Sequence, residues 1–281
     1  MALSGLNLTA PADFGRLIAY RSNGLWLDQD VLRVEFPDDF SGLDRYFGPR
    51  EEKQVDSVAN RRVAAGIQRA TEQVLLAIAA HLVQRYGERR LVYGGGVALN
   101  CHANSVLATS GIVDHVYVGP AAHDAGTAVG AAWCLHTKLS GRDVPYQDGR
   151  VVAYSGPDLT LDAEALRDAG WQANGDSGNL DRVVDLLERD WLIGWLDGRC
   201  EFGPRALGGR SLLASPLTDG VVARVNQAKS RASFEPVAIS VLADEVEHVF
   251  DLPEAARNLA ELMLTTVVPI GGWRSRLAHI A

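Results

Sequence analysis

The chain of 281 residues is short of sulfur, aromatic rings and positive charge, and each shortage closes off a class of function. Its three cysteines, Cys101, Cys134 and Cys200, are odd in number, far apart and form no C-x-x-C pair, so neither a disulfide framework nor a zinc knuckle is indicated. Lys and Arg number 27 against 35 Asp and Glu, for a net charge of -8. That balance argues against nucleic acid or an anionic membrane surface as partner, since both want an excess of cations. No apolar stretch is long enough to span a bilayer, and the start MALSGLNLTAPADF lacks the charged head and apolar run of a signal peptide, so the expected location is cytoplasmic. Neither G-x-x-x-x-G-K-[ST] nor G-x-G-x-x-G occurs, and there is no internal repeat or low-complexity segment.

What remains is a globular composition: 47% hydrophobic, 22% charged, mean hydropathy -0.02. The length allows one large or two ordinary domains. From Leu6 to Glu52 short apolar runs such as LWLDQDVLRVEF suggest a hairpin or small edge strands. From Arg61 to Tyr86 the residues Val63, Ile67, Ala70, Val74, Ile78 and Leu82 recur at spacings of three and four, which predicts a long amphipathic helix stopped by Gly87. A strand over Leu91 to Tyr93, a Gly94-Gly95-Gly96 turn and a helix from Ala98 to Leu107 follow. The logic repeats with a strand from Val113 to Val118 and a helix from Ala125 to Leu135. SGRDVPYQDGRV, Ser140 to Val151, reads as a domain boundary. Beyond it, helices are expected over Leu180 to Arg189 and Gly220 to Gln227, and strands over Trp191 to Leu196 and Val237 to Leu242.

The densest chemistry lies in EFGPRALGGRSLLASP, Glu201 to Pro216. Phe202, Pro204 and Leu207 are anchors, Gly203, Gly208 and Gly209 bring backbone N–H groups close to a ligand, and Arg205 and Arg210 present planar forks suited to phosphate or carboxylate oxygens. A solvated turn would explain the glycines but not two arginines between apolar anchors. Strand, glycine turn and helix at Gly94 to Asn100 place backbone donors at a helix N-terminus. Taken alone, Asp124 before its helix is an N-cap. His102 and His123 carry no assigned role.

Three dispersed segments, GGGVALNCHAN from Gly94, VYVGPAAHDAGTAVGAAW from Val116 and EFGPRALGGRS from Glu201, together resemble the signatures of the O-carbamoyltransferases of nodulation-factor and antibiotic biosynthesis. The resemblance covers nearly the whole chain, Gly24 to Phe250. It implies an α/β protein with part of an actin-like ATPase (ASKHA) lobe in residues 1–140 and a YrdC-like α/β domain in residues 152–281. By the same resemblance Gly94, Gly95, Gly96 and Asn100 bind ATP with Mg2+, and Asp124 is one ligand of Fe2+ or another divalent metal. Carbamoyl phosphate falls to Arg205, Arg210, Lys229 and Arg231, and the product is a carbamoylated hydroxyl of a small molecule.

Two departures qualify that reading. QAKSRASFEPVAISVL matches the family's basic stretch at Lys229, Arg231, Phe234 and Pro236, but Glu235 stands where the family carries an arginine, and Val237 and Ile239 replace a Phe and a Pro. The family's H-x-x-x-H pair and its H-x-D-G-T-A-R run are not found in this sequence. The chain is therefore expected to act as a homodimer or in a hetero-complex with a chain carrying the missing lobe, without tightly bound metal or carbamoyl transfer of its own. The alternative is a non-catalytic nucleotide-binding subunit or degenerate pseudoenzyme.

Overall fold

The computed structural model describes residues 11–22, 24–32, 41–48, 56–144, 153–158, 162–172 and 180–280. It is a mixed α/β structure whose strands pair two by two. At the N-terminal end β1 (Ile18–Arg21) and β2 (Gly24–Leu27) form an antiparallel hairpin, followed by the short helices α1 (Gln29–Leu32) and α2 (Ser41–Phe47). The expected hairpin is present, although LWLDQDVLRVEF crosses from β2 into α1 and its Arg33 to Phe36 lie outside the described residues.

The long helix α3 runs from Val58 to Tyr86. Ser57 caps its start by accepting from the Asn60 N–H, and Gly87 ends it at φ 71°, its N–H returned to the Val83 carbonyl, the left-handed stop that glycine adopts at least cost. The buried face overlaps the stripe that periodicity picks out only in part, at Ala70 and, packed beside it, Val63. Gly66, Gln68, Ala70 and Ala79 are buried while Ile67 is exposed, because the helix lies against two clusters at once. Phe14, Leu17 and Ala70 form one; Ala79 joins the larger one. A Cβ on Gly66 would stand 2.3 Å from the Ala12 carbonyl oxygen, so the N-terminal segment sits directly on the helix backbone there.

Strands β3 (Arg90–Val92) and β4 (His115–Tyr117) are parallel, with Leu91 opposite Val116, and α4 (Cys101–Thr109) makes the crossover that parallel pairing requires. A 3-10 turn, Gly96–Leu99, precedes α4, so the helix expected from Ala98 begins in earnest after Asn100. Helix α5 (Gly126–Ser140) follows β4 and buries none of its residues; Trp133, Leu135 and Leu139 are exposed.

In the C-terminal part come α6 (Ala163–Asp168), α7 (Leu180–Glu188), the antiparallel pair β5 (Ile193–Leu196) and β6 (Arg210–Leu213), and α8 (Val221–Ala228). The strand expected over Val237 to Leu242 does not form; that stretch has no regular structure. Pro236 offers no N–H, and the Asn226 amide takes the Ser233 and Glu235 carbonyls at 3.3 and 2.8 Å, holding the approach as a loop. Helix α9 (Val246–Val249), β7 (Phe250–Asp251), α10 (Arg257–Glu261), β8 (Val268–Pro269) and α11 (Trp273–Arg276) close the described chain. The largest core cluster joins Ala98, Leu107, Val116 and Val118 to Ala256, Leu259, Leu262 and Leu264. Residues about 150 positions apart thus share one interior. Among the described residues no helix is long and apolar enough to cross a membrane.

Candidate functional site

Two glycines, Gly95 and Gly203, bring the distant motifs into one place, and a third, Gly126, lets the segment between them turn tightly. The Gly95 N–H donates to the Ala122 carbonyl at 2.7 Å, tying the glycine turn to the segment after β4. On Gly126 a Cβ would stand 2.1 Å from the Ala121 carbonyl oxygen; on Gly203, at φ +142°, it would stand 2.4 Å from that of Pro120. No side chain fits at either point, so Glu201–Arg205 packs its backbone against Pro120–Ala121. Arg205 completes the junction, its guanidinium donating to the Leu99 carbonyl at 3.0 Å and contacting the Cys101 thiol at 3.1 Å. Arg205 is thereby brought against the segment that carries Gly94, Gly95, Gly96 and Asn100.

The glycine turn is open. Gly95 has φ +96°, and a Cβ on Gly95 or Gly96 would meet nothing within 4 Å. The first N–H groups of the 3-10 turn have no intrahelical partners, so this exposed rim fits a phosphate. Asn100 caps α4, its Oδ1 accepting the Ala103 N–H at 3.1 Å.

Among the described residues Arg205 meets only neutral acceptors. Its Nε is buried with no hydrogen-bond partner. Burial pushes the Cys101 thiol up, against the opposing pull of Arg205, and pushes the Tyr93 phenol up to about 12, so neither supplies a counter-charge near neutral pH. A half-buried guanidinium without a carboxylate has an incentive to take an anion.

Arg210 is engaged differently. Glu201 is buried, and its Oε1 accepts the N–H groups of Leu207, Gly209 and Arg210 at 2.7, 2.8 and 3.1 Å. Burial alone would raise its carboxyl, but these main-chain bonds outweigh it and hold the pKa at about 2. Arg210 Nε lies 3.4 Å from Glu201 Oε2 and its Nη2 donates to the Glu201 carbonyl at 3.1 Å. The expectation that Gly208 and Gly209 turn their N–H groups to a ligand is thereby corrected: Gly209 serves Glu201, and Gly208 donates to Ser211 Oγ at 3.1 Å. The glycines are there because the chain wraps a carboxylate.

Lys229 is exposed at the end of α8, and Arg231 pairs with Glu235 at 2.9 Å, four residues on. No hydrogen bond or ion pair joins either to Arg205 or Arg210 among the described residues. Asp124 caps nothing with its carboxylate: Ala125 occupies the cap position of α5, and only the Asp124 carbonyl is used, by Thr127. Its side chain is exposed, beside His123, whose Nδ1 is buried without a partner. Among the described residues no group of three or more His, Cys, Asp or Glu side chains is placed to hold a metal ion. Among the described residues Asp124 has no companion donors that would complete the metal site the resemblance implies.

Sequence reasoning passed over Glu201, Gln68, Glu72 and Asn104. Glu201 had a signal: an acidic residue ahead of a glycine-rich turn and between apolar anchors needs N–H donors if it is buried, and the turn supplies them. Asn104, fully buried, donates to the Ala98 and Leu264 carbonyls at 2.9 and 2.7 Å and accepts from the Tyr93 hydroxyl. Its partner beyond residue 260 has no signature in the local sequence.

Comparison with known proteins gives the family. The family model for the carbamoyltransferase N-terminus matches residues 28–133, and that for the carbamoyltransferase C-terminus matches residues 184–281. The chain belongs to the carbamoyltransferase family. It is 39% identical over 207 residues to nodulation protein NolO of Bradyrhizobium diazoefficiens, covering 71% of this chain and 37% of that protein. It is 36% identical over 220 residues to nodulation protein NolNO of Sinorhizobium fredii, covering 75% and 31%, and 34% identical over 204 residues to nodulation protein U of the same species, covering 70% and 34%. The chain thus spans about a third of the length of these relatives.

Proposed function

We propose that this chain is an ATP-dependent O-carbamoyltransferase, or a subunit of one: water releases phosphate from carbamoyl phosphate, the carbamate left displaces pyrophosphate from ATP to give a carbamoyl adenylate, and a hydroxyl of a small molecule takes the carbamoyl group as AMP leaves. The observation that carries the reading is Arg205, a cation with neutral partners and a buried unpaired Nε, set on the rim of an open glycine turn. Arg205 grips the end of the same short turn at Leu99, so a phosphate-bearing ligand that runs along the turn from its glycines would meet backbone donors first and the guanidinium next, an arrangement that neutralises phosphate charge as a bond to it forms or breaks. Asn100 belongs to the same rim. Arg210 acts by closing the loop on Glu201, and Lys229 and Arg231 form a second basic region. In this reading residues 1–140 are part of an actin-like ATPase lobe and residues 152–281 a YrdC-like domain, acting in the cytoplasm as a homodimer or with a partner chain. Its exposed helix α5 supports such an assembly.

One observation favours the second reading, a nucleotide-binding subunit without catalysis. Glu235 occupies Arg231, and so removes one of the cations assigned to carbamoyl phosphate. A carbamoylation assay on the purified chain with ATP, carbamoyl phosphate and a panel of small alcohols decides between them. Pyrophosphate release that depends on carbamoyl phosphate supports the transferase; ATP binding with no such release supports the binding subunit.

A further inference from the structure

The side chain of Asn100 is held from behind by the long helix. Gln68, on α3 and 8% exposed, forms a reciprocal amide pair with it: Asn100 Nδ2 donates to Gln68 Oε1 at 2.8 Å, and Gln68 Nε2 donates to Asn100 Oδ1 at 3.2 Å. Gln68 is itself oriented by Glu72, whose Oε1 takes the same Nε2 at 2.6 Å and also faces His102 Nδ1 at 2.8 Å. On the other side the Ala103 N–H donates to Asn100 Oδ1. An amide can be turned over with little change in shape, so its orientation is set by its partners. Here both partners agree. Two donors converge on Oδ1, one acceptor takes one Nδ2 proton, and the second Nδ2 proton is left as a donor of fixed direction.

We propose that Gln68 is a positioning residue, which fixes the Asn100 amide so that its remaining N–H is presented to a phosphate-bearing ligand at the glycine turn. The proposal rests on the nucleotide reading of that turn. Glu72 anchors the chain of bonds, and neither side chain touches the ligand. A polar residue this deeply buried on a helix otherwise packed through alanine and glycine costs stability unless its bonds serve it, and three of them do.

The test is a cycle of ATP affinities measured by calorimetry on the full chain, with melting temperatures alongside. Gln68→Met keeps the length of the side chain and removes its hydrogen bonds; ATP should bind about five- to tenfold more weakly, as expected for one misdirected hydrogen bond. Asn100→Ser keeps a capping hydroxyl but no amide, and should weaken ATP by a similar factor. In the Asn100→Ser background Gln68→Met should then add less than a twofold loss. Additive losses overturn the proposal, as does Gln68→Met that lowers the melting temperature and leaves ATP affinity unchanged. Should Gln68→Met fail to fold, Gln68→Leu, which is shorter and likewise carries no hydrogen-bonding group, takes its place with the same expectation. If Asn100→Ser weakens ATP while Gln68 variants do not, positioning fails and the nucleotide reading stands. If neither residue matters, the nucleotide reading fails and the proposal with it.

Discussion

Arg210 and Glu201 are joined three ways, through the Arg210 main-chain N–H, its Nε and its Nη2, so that the head of β6 is folded back onto the residue that opens the motif. One of the two arginines that the sequence offers for phosphate is thus spent on loop closure, whereas Arg205 has no carboxylate among its hydrogen-bond partners in the described residues.

Glu201 should make stability fall in acid. Its folded pKa of about 2 lies below the ordinary 4.5, so the carboxylate's contribution is full above pH 4.5 and is lost as pH drops from there towards 2. The loss is on the order of 3 kcal/mol over that window. Urea unfolding of the native chain and Glu201→Gln at pH 7 and pH 3 checks it. The two curves should differ most at pH 7 and lie closer together at pH 3, where part of the contribution has already been lost.

Arg205→Ala should weaken carbamoyl phosphate binding by ~1.5 to 3 kcal/mol, the usual range for a hydrogen bond to a charged group. Arg205→Lys should recover little, since a point charge cannot reach Leu99 and a ligand oxygen together as the fork does. Titration calorimetry distinguishes this from Arg210→Ala, which should act first on the melting temperature. Equal losses of affinity in both would return Arg210 to the substrate site.

The motif glycines divide by what surrounds them. Gly203→Ala brings a Cβ to 2.4 Å from the Pro120 oxygen at φ +142°, whereas Gly208→Ala meets nothing within 4 Å at φ +100°. Gly208→Ala should therefore cost only its backbone strain, ~1 to 3 kcal/mol, and Gly203→Ala that amount plus separation of the two motifs. Thermal melts rank them. Gly95 resembles Gly208: φ +96° with open space, so Gly95→Val blocks the turn but also strains it, and its loss of ATP binding must be read against its melting temperature.

The sequence pattern made the local elements legible and left the long-range partners hidden. Gly87 and the strand, turn and helix around Gly94 are written in short-range rules, and each is found within a few residues of its expected place. Of the apolar stripe on α3 only Ala70 is fully buried, because periodicity counts apolar residues whereas the interior here takes small ones, Gly66, Ala70 and Ala79, with Gln68 among them. The strand over Val237 to Leu242 was read from β-branched residues that have no partner strand among the described residues. At the site, the motifs themselves were legible. That Glu201 would claim their N–H groups, and that Glu235 would pair with Arg231, depended on geometry which no spacing rule encodes.

That last pair gives the sharpest test of the second basic region. Before the geometry is known, Glu235 reads as a charge opposing phosphate, and Glu235→Arg should tighten carbamoyl phosphate. In the structure Glu235 holds Arg231 at 2.9 Å with both side chains about a third exposed, so it acts by occupying a cation. An ion pair of this exposure is worth ~0 to 1 kcal/mol, which a dianionic phosphate can outbid. Glu235→Gln, which frees Arg231 and adds no charge of its own, should therefore tighten carbamoyl phosphate by a few-fold in low salt and by less at high salt, where screening weakens the pair. The gain should vanish in Glu235→Gln combined with Arg231→Gln. A gain that persists without Arg231 would mean that Glu235 repels the ligand directly, and no gain in either variant would place the carbamoyl phosphate site at Arg205 alone.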